Sequence, residues 1–201
     1  MILVRLTLIL TCLSLLFLAP KFSAANQFGL ALADAAEQQV GVTVTYDPSY
    51  VSIPFPGGDI PRDKGVCSDV FIRALRDAHQ IDLQQRVNTD MKKAFSRYPK
   101  TWGLKSTDTS IDHRRVYNLQ RFLERQGFSL PVSSDANDYL PGDIVTWMLP
   151  GNLPHLGLVS DKKSLWSDRY LVIHNIGAGT QIEDRLFDFD VKGHYRITQT
   201  F

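Results

Sequence analysis

The sequence predicts one α+β domain, with helices first and an antiparallel sheet second. Three observations carry that prediction. Up to residue 126 apolar residues recur at three- and four-residue intervals, the spacing of buried helical faces. After Tyr139 the pattern changes to short β-branched runs separated by turn residues. No internal repeat, low-complexity tract or Ser/Gly linker divides the chain.

The chain opens with Arg5 and an apolar run over residues 6–19, followed by Pro20, Lys21 and the small residues Ser23, Ala24 and Ala25. This is the order of a secretory signal peptide. The run is shorter than the roughly 20 apolar residues a bilayer span needs, and an uncleaved anchor is the alternative. Cys12 follows Thr11 and the apolar run continues beyond it, which argues against lipid attachment there. The expected organisation is a leader over residues 1–25 and a single exported, periplasmic domain over residues 26–201, with no membrane association once the leader is removed. Cleavage near Ala25 leaves 20 basic and 21 acidic residues and Cys67 as the only thiol.

A first helix is expected over residues 27–40, stopped by Gly41, and residues 42–46 alternate as a short strand. Residues 50–61 are rich in Pro and Gly and form a loop. Cys67 opens the next helix, whose buried face is Val70, Phe71, Ala74, Leu75 and Ala78. Helices over residues 83–95 and 116–126 follow, separated by a polar loop and closed by Gly127. The strands are expected over residues 143–149, 155–160, 170–176, 181–187 and 194–198.

Lys and Arg number 22 against 21 Asp and Glu, so the net charge of +1 gives no electrostatic footprint for nucleic acid. The two cysteines, Cys12 and Cys67, allow a single bridge at most, and removal of the leader takes Cys12 with it. Cys67, in Gly65-Val66-Cys67-Ser68-Asp69-Val70, falls at a helix start, where unpaired N–H groups and the helix dipole favour a thiolate. The N–H groups of Cys67 and Ser68 would also suit an oxyanion. The alternative is a small core residue.

A thiol nucleophile needs a general base. His155 starts one expected strand and His174 ends the next; paired as neighbours, they supply a base and the residue that orients it. His79 is expected to meet the carbonyls at the end of its own helix, and His194 has no assigned role. His113, in Asp112-His113-Arg114-Arg115, belongs to a polar cluster. That cluster is either a solvated capping face or a site where Arg114 or Arg115 reads substrate carboxylates. No CxxC, HxxxH or carboxylate spacing supports a metal at Cys67, His155 and His174, and no cofactor is implied.

In order, Gly57-Gly58-Asp59, Gly65-Val66-Cys67-Ser68-Asp69, Asp112-His113-Arg114-Arg115, Pro141-Gly142-Asp143-Ile144-Val145, Pro154-His155-Leu156-Gly157-Leu158-Val159 and His174-Asn175-Ile176-Gly177 resemble a family of exported bacterial proteins classed as a domain of unknown function. That family is similar to the NlpC-type, papain-like cysteine peptidases of the cell wall. The resemblance covers residues from about 40 to the end. It implies a papain-like α+β fold in which the nucleophile helix packs on the sheet, with Cys67, His155 and His174 as the catalytic residues. It implies a peptidoglycan stem peptide, or the bond between sugar lactyl group and first alanine, as substrate, and a structural Asp143. Asp69 replaces the group's usual glycine after Cys-Ser, which would put a carboxylate near the nucleophile and narrow the acceptor pocket. Phe55 stands where the group often has a tyrosine, so that hydroxyl is either missing here or supplied by Tyr46 or Tyr50. Two further readings stay open: a thiol hydrolase or acyltransferase acting on another amide or ester, and a wall-binding module in which Cys67 only packs. The oligomeric state is not legible in the sequence.

Overall fold

A computed structural model describes residues 24–199 and 201. The leader expected over residues 1–25, with Cys12, lies outside the described residues except for its last two positions. Helix α1 (Ala24–Glu37) starts and ends about three residues earlier than its periodicity suggests. Beyond Glu37 the bonds tighten, with Gln39 N–H donating to Ala36 and Val40 N–H to Glu37, and Val40 is left exposed. Gln39 turns inward instead and donates to the Val70 carbonyl at 2.8 Å.

Of the extended segment expected over residues 42–46, only β1 (Thr45–Tyr46) pairs, parallel to β2 (Lys64–Gly65). Helix α2 (Cys67–His79) follows, then α3 (Leu83–Ala94), which Asp82 caps by accepting from Gln84 N–H at 3.1 Å. After short 3₁₀ turns at Phe95–Arg97 and Asp112–Arg114 comes α4 (Val116–Arg125).

The sheet contains β3 (Ser129–Leu130), β4 (Ile144–Leu149), β5 (Leu153–Lys163), β6 (Tyr170–Asn175), β7 (Thr180–Glu183) and β8 (Asp190–Tyr195). Its order is β3-β8-β4-β5-β6-β7, antiparallel throughout. The last strand begins four residues before residue 194, where it was expected. A register shift pairs Thr146 with Gly193 but Trp147 with Val191, so Lys192 is an extra residue that breaks the alternation.

The two faces of the sheet carry different cores. Ile144, Leu156, Leu158, Ile173 and Tyr195 meet the helices, while Val145, Trp147, Val159 and Val172 form a second cluster with Tyr139 and Leu186. Helix α2 is the centre of the first core, and its residues from Cys67 through Leu75 are all buried. A helix enclosed on all sides must satisfy its polar side chains internally, and this requirement builds the site.

Candidate active site

Arg73, on the second turn of α2, is 0% exposed. Its guanidinium holds the Asp59 carboxylate at 3.0–3.2 Å and donates to Thr43 Oγ1 and to the Ile60 and Lys64 carbonyls. The Gly/Pro loop ahead of Cys67 is thus hung on the helix that Cys67 opens. Gly65 fits between them because a Cβ there would stand 3.0 Å from Asp69 Oδ2 and 3.2 Å from Arg73 Nη1. Asn175, which sequence reasoning did not single out, donates from β6 to the Gly65 carbonyl at 3.1 Å. Nothing in a bare His-Asn-Ile-Gly string announces that contact.

Cys67 is the first residue of α2 and 5% exposed. Its sulfur faces the N–H groups of Leu156, Ser68 and Cys67 itself. The helix start alone would lower the thiol's pKa, but burial overrides it, with Asp69 adding to the effect, and pushes the thiol up to about 12. Cys67 therefore rests as a neutral thiol, which corrects the expectation of a thiolate. Alkylation by iodoacetamide should accordingly rise steadily from pH 7 to pH 10 with no plateau; a plateau near pH 7 would show a thiolate instead. Beside Cys67 lies a hollow of about 210 Å³, walled by Tyr46, Pro48, Trp102, Arg115 and Pro154.

His155 Nε2 and His174 Nδ1 are 2.8 Å apart, as the strand-neighbour reading requires, and His174 Nε2 lies 3.0 Å from Glu183 Oε2. Glu183 also accepts from Arg185 at 3.0 Å; burial raises its pKa, but the bonds to Arg185 and His174 bring it below the usual range. An ionised Glu183 accepts only, so a neutral His174 carries its proton on Nε2 and accepts at Nδ1. His155 must then donate from Nε2, which leaves the lone pair of its Nδ1 free to take a proton. Trp147 covers this pair, with its ring centre 5.9 Å from that of His155. Gly157 keeps the strands close, since a Cβ there would stand 3.0 Å from the Ile173 carbonyl and 3.1 Å from His174 Cβ.

The register turns His155 and His174 towards the Trp147 face and Leu156 towards the helices. The sulfur meets the sheet at the Leu156 peptide, immediately after His155 in the chain. The β5–β6 register runs from Lys163 opposite Tyr170 to Leu158 opposite Ile173, so this point lies beyond its last pair. The hydrogen-bonded chain is His155–His174–Glu183; Cys67 adjoins it through that peptide, and among the described residues no hydrogen bond joins it to the imidazole.

Burial lowers the pKa of His155 to about 3, with His174 adding to the shift, and that of His113 to about 4. Both rings are neutral in the folded chain and titrate near 6.5 when unfolded, so below that pH the unfolded chain binds more protons. Stability is expected to be full above about pH 6.5 and to decline as the pH falls towards 4. Thermal melts between pH 7.5 and 4.5 test this, and an unchanged midpoint would contradict it.

The remaining expected site residues divide. Asp69 accepts from Arg114 through both oxygens at 2.8 Å and from Val66 N–H at 2.7 Å, which caps α2 and leaves no free carboxylate for substrate. Arg114 is occupied by that pair. His113 is buried, so the Asp112–Arg115 cluster is not a solvated face, and of its members Arg115 is the side chain that walls the hollow without being consumed by Asp69. Tyr46 also walls it, and Cys67 and Asp69 add to the burial that raises its pKa. Tyr50 instead points its hydroxyl at Asp108, 3.3 Å away, and Phe55 is exposed. Ser68 is buried and donates to the Arg114 carbonyl at 2.7 Å.

His79 bonds the Phe28 carbonyl at 3.0 Å and stacks on the Phe28 ring, so it ties α2 to α1 rather than capping its own helix. Asp143 is structural, taking His194 at 2.7 Å, Arg196 at 2.6 and 2.7 Å and Leu140 N–H at 2.8 Å. Glu183, which ends the histidine chain, went unassigned in the sequence. Its signal was its place two residues after Gln181, which pairs with His174, on a strand of period two.

A model of the family described as "Domain of unknown function (DUF1287)" matches residues 33–197. "Uncharacterized protein YijF" of Escherichia coli (strain K12) is 52% identical over 167 residues, 83% of this chain and 80% of that protein. Among solved structures, the chain resembles an N-acetylmuramoyl-L-alanine amidase from Bacteroides uniformis ATCC 8492, with TM-score 0.50 and 14% identity over 86% of this chain and 100% of that one. It also resembles NlpC1 from Trichomonas vaginalis, with TM-score 0.46 and 16% identity over 90% of this chain. The chain spans about half, 49%, of the NlpC1 length. The likeness to the amidase is one of fold, and it agrees with the α+β, papain-like arrangement expected from the motifs.

Proposed function

Because this chain belongs to the DUF1287 family and shares its fold with a muramoyl-alanine amidase, we propose that it is a periplasmic cysteine hydrolase of peptidoglycan amide bonds. One observation carries the reading: the thiol at the head of α2 opens on a hollow and lies against the peptide that follows a tautomerically fixed His155. As the substrate carbonyl enters, His155 Nδ1 takes the thiol proton while sulfur attacks carbon. The N–H groups of Cys67 and Ser68 hold the developing oxyanion. The imidazolium, steadied by His174 and Glu183, gives its proton to the leaving amine. Water then attacks the thioester with His155 again as base, releasing the acid and the thiol. A neutral thiol and a neutral imidazole suit this concerted transfer, and apo distances in such sites commonly tighten only with substrate bound.

Export is part of the same reading, with the leader removed near Ala25; the N-terminus of protein recovered from the periplasm tests it. The deciding experiment is digestion of purified peptidoglycan by the protein beside Cys67→Ala, with soluble products identified by mass spectrometry. Fragments are expected from the wild type and none from the variant, and their masses name the bond. No fragments from either would refute the reading.

A further inference from the structure

Residues 26–201 contain 20 lysines and arginines. Fourteen of them stand in ion pairs with carboxylates, from Arg62 with Asp77 to Arg196 with Asp143. The other six, Arg86, Lys92, Lys93, Arg97, Lys100 and Lys105, fall in one stretch of twenty residues, and all are exposed. Among the described residues none of the six has an ion-pair partner. The one acid of that stretch, Asp90, is taken by Arg125 at 2.6 Å and by the Tyr98 hydroxyl at 2.7 Å. Outside it the same region holds fourteen basic residues against twenty acidic ones. Near-neutral overall charge therefore conceals a segregated basic face on α3 and the segment after it.

Two recesses flank α3. One, of about 420 Å³, has Arg86 and Lys93 on its wall; the other, of about 340 Å³, has Lys92 and Lys105. The face also runs into the thiol's hollow, because Trp102, between Lys100 and Lys105 in the chain, forms part of that wall. Arg115 closes the join, with its guanidinium carbon 4.3 Å from the Trp102 ring centre. We propose that this basic face holds the carboxylates of neighbouring stem peptides on the same peptidoglycan strand whose amide enters the Cys67 hollow. The inference rests on the hydrolase reading for its substrate, but concerns binding rather than chemistry. An anionic membrane is the less favoured occupant. The protruding apolar pair, Leu165 and Trp166, each 93% exposed, stands after β5, at the opposite end of that strand from the thiol.

The test uses Cys67→Ala protein, so that binding is measured without turnover, in co-sedimentation with insoluble peptidoglycan at low and high salt. Replacing Lys92, Lys93, Arg97 and Lys100 by Gln is expected to weaken binding about tenfold and to flatten its salt dependence. With Cys67 present, the same four changes should leave its alkylation rate unaltered, which shows the fold and the thiol's surroundings intact. Should that rate change, Lys92→Gln with Lys93→Gln alone is used, with a loss of about threefold expected. Unchanged affinity overturns the proposal. So does tighter binding to phosphatidylglycerol vesicles than to the polymer, abolished by the four changes. Salt-sensitive binding lost in the variant while the wild type releases no fragments would refute the hydrolase reading and leave the basic face standing.

Discussion

Arg73→Met is expected to destabilise the fold by about 3–5 kcal/mol, the usual cost of removing one partner from a buried ion pair. Methionine keeps the apolar stem of the buried side chain and removes the guanidinium. What is lost is the charge on which Asp59, Thr43 and the Ile60 and Lys64 carbonyls converge. For a domain of this size that corresponds to a fall in melting temperature of roughly 10 °C. Arg62→Met makes the matched control. Its pair with Asp77 is 2.6 Å long, but the two side chains are 46% and 35% exposed, and its loss should cost less than about 1 kcal/mol. Equal melting shifts in the two variants would show that the loop before Cys67 is not held by Arg73.

His155→Ala is expected to lower hydrolysis by about 10⁴-fold, since it removes the proposed base, and Glu183→Gln by about 10²-fold or more. The second is the more informative. A glutamine can donate as well as accept, so His174 is no longer compelled to carry its proton on Nε2. His155 then loses the fixed donor–acceptor order that leaves Nδ1 basic. The two variants should differ in their response to pH. Burial keeps His155 unprotonated well below the ordinary imidazole range, so wild-type activity should persist to about pH 5 where an exposed histidine base would already be protonated. The Glu183→Gln enzyme should be slow at every pH, with the same thiol alkylation rate as the wild type. Full activity in Glu183→Gln would remove Glu183 and His174 from the mechanism.

Much of this was legible in the chain itself because periodicity reports burial. The heads of the helices at Cys67, Leu83 and Val116 fall where the apolar stripes begin, and three of the five expected strands, at 143–149, 155–160 and 170–176, overlap their observed spans closely. The histidine pair was legible because two strand ends of matching phase imply neighbours. What escaped depends on long-range geometry. The Arg73–Asp59 pair joins a helix to a loop fourteen residues earlier, and an arginine in an amphipathic stripe reads as solvated until the helix proves to be buried all round. Asp69 and Arg114 look like free polar groups in a string of letters, yet they neutralise each other across 45 residues. The thiol's protonation was misjudged for a similar reason: the helix start is local and visible, while the burial that outweighs it comes from the whole core.

The raised pKa of Cys67 has a consequence for the protein's lifetime. Peroxides and disulfides react with thiolates, and a thiol titrating near 12 is deprotonated only to roughly one part in 10⁵ at pH 7. Under the proposed mechanism, a nucleophile that loses its proton only when a carbonyl is in place spends its idle hours almost inert towards oxidants. Such a cysteine needs no reducing partner to stay usable in an oxidising compartment, and activity should survive prolonged exposure to dilute hydrogen peroxide that inactivates enzymes with resting thiolates.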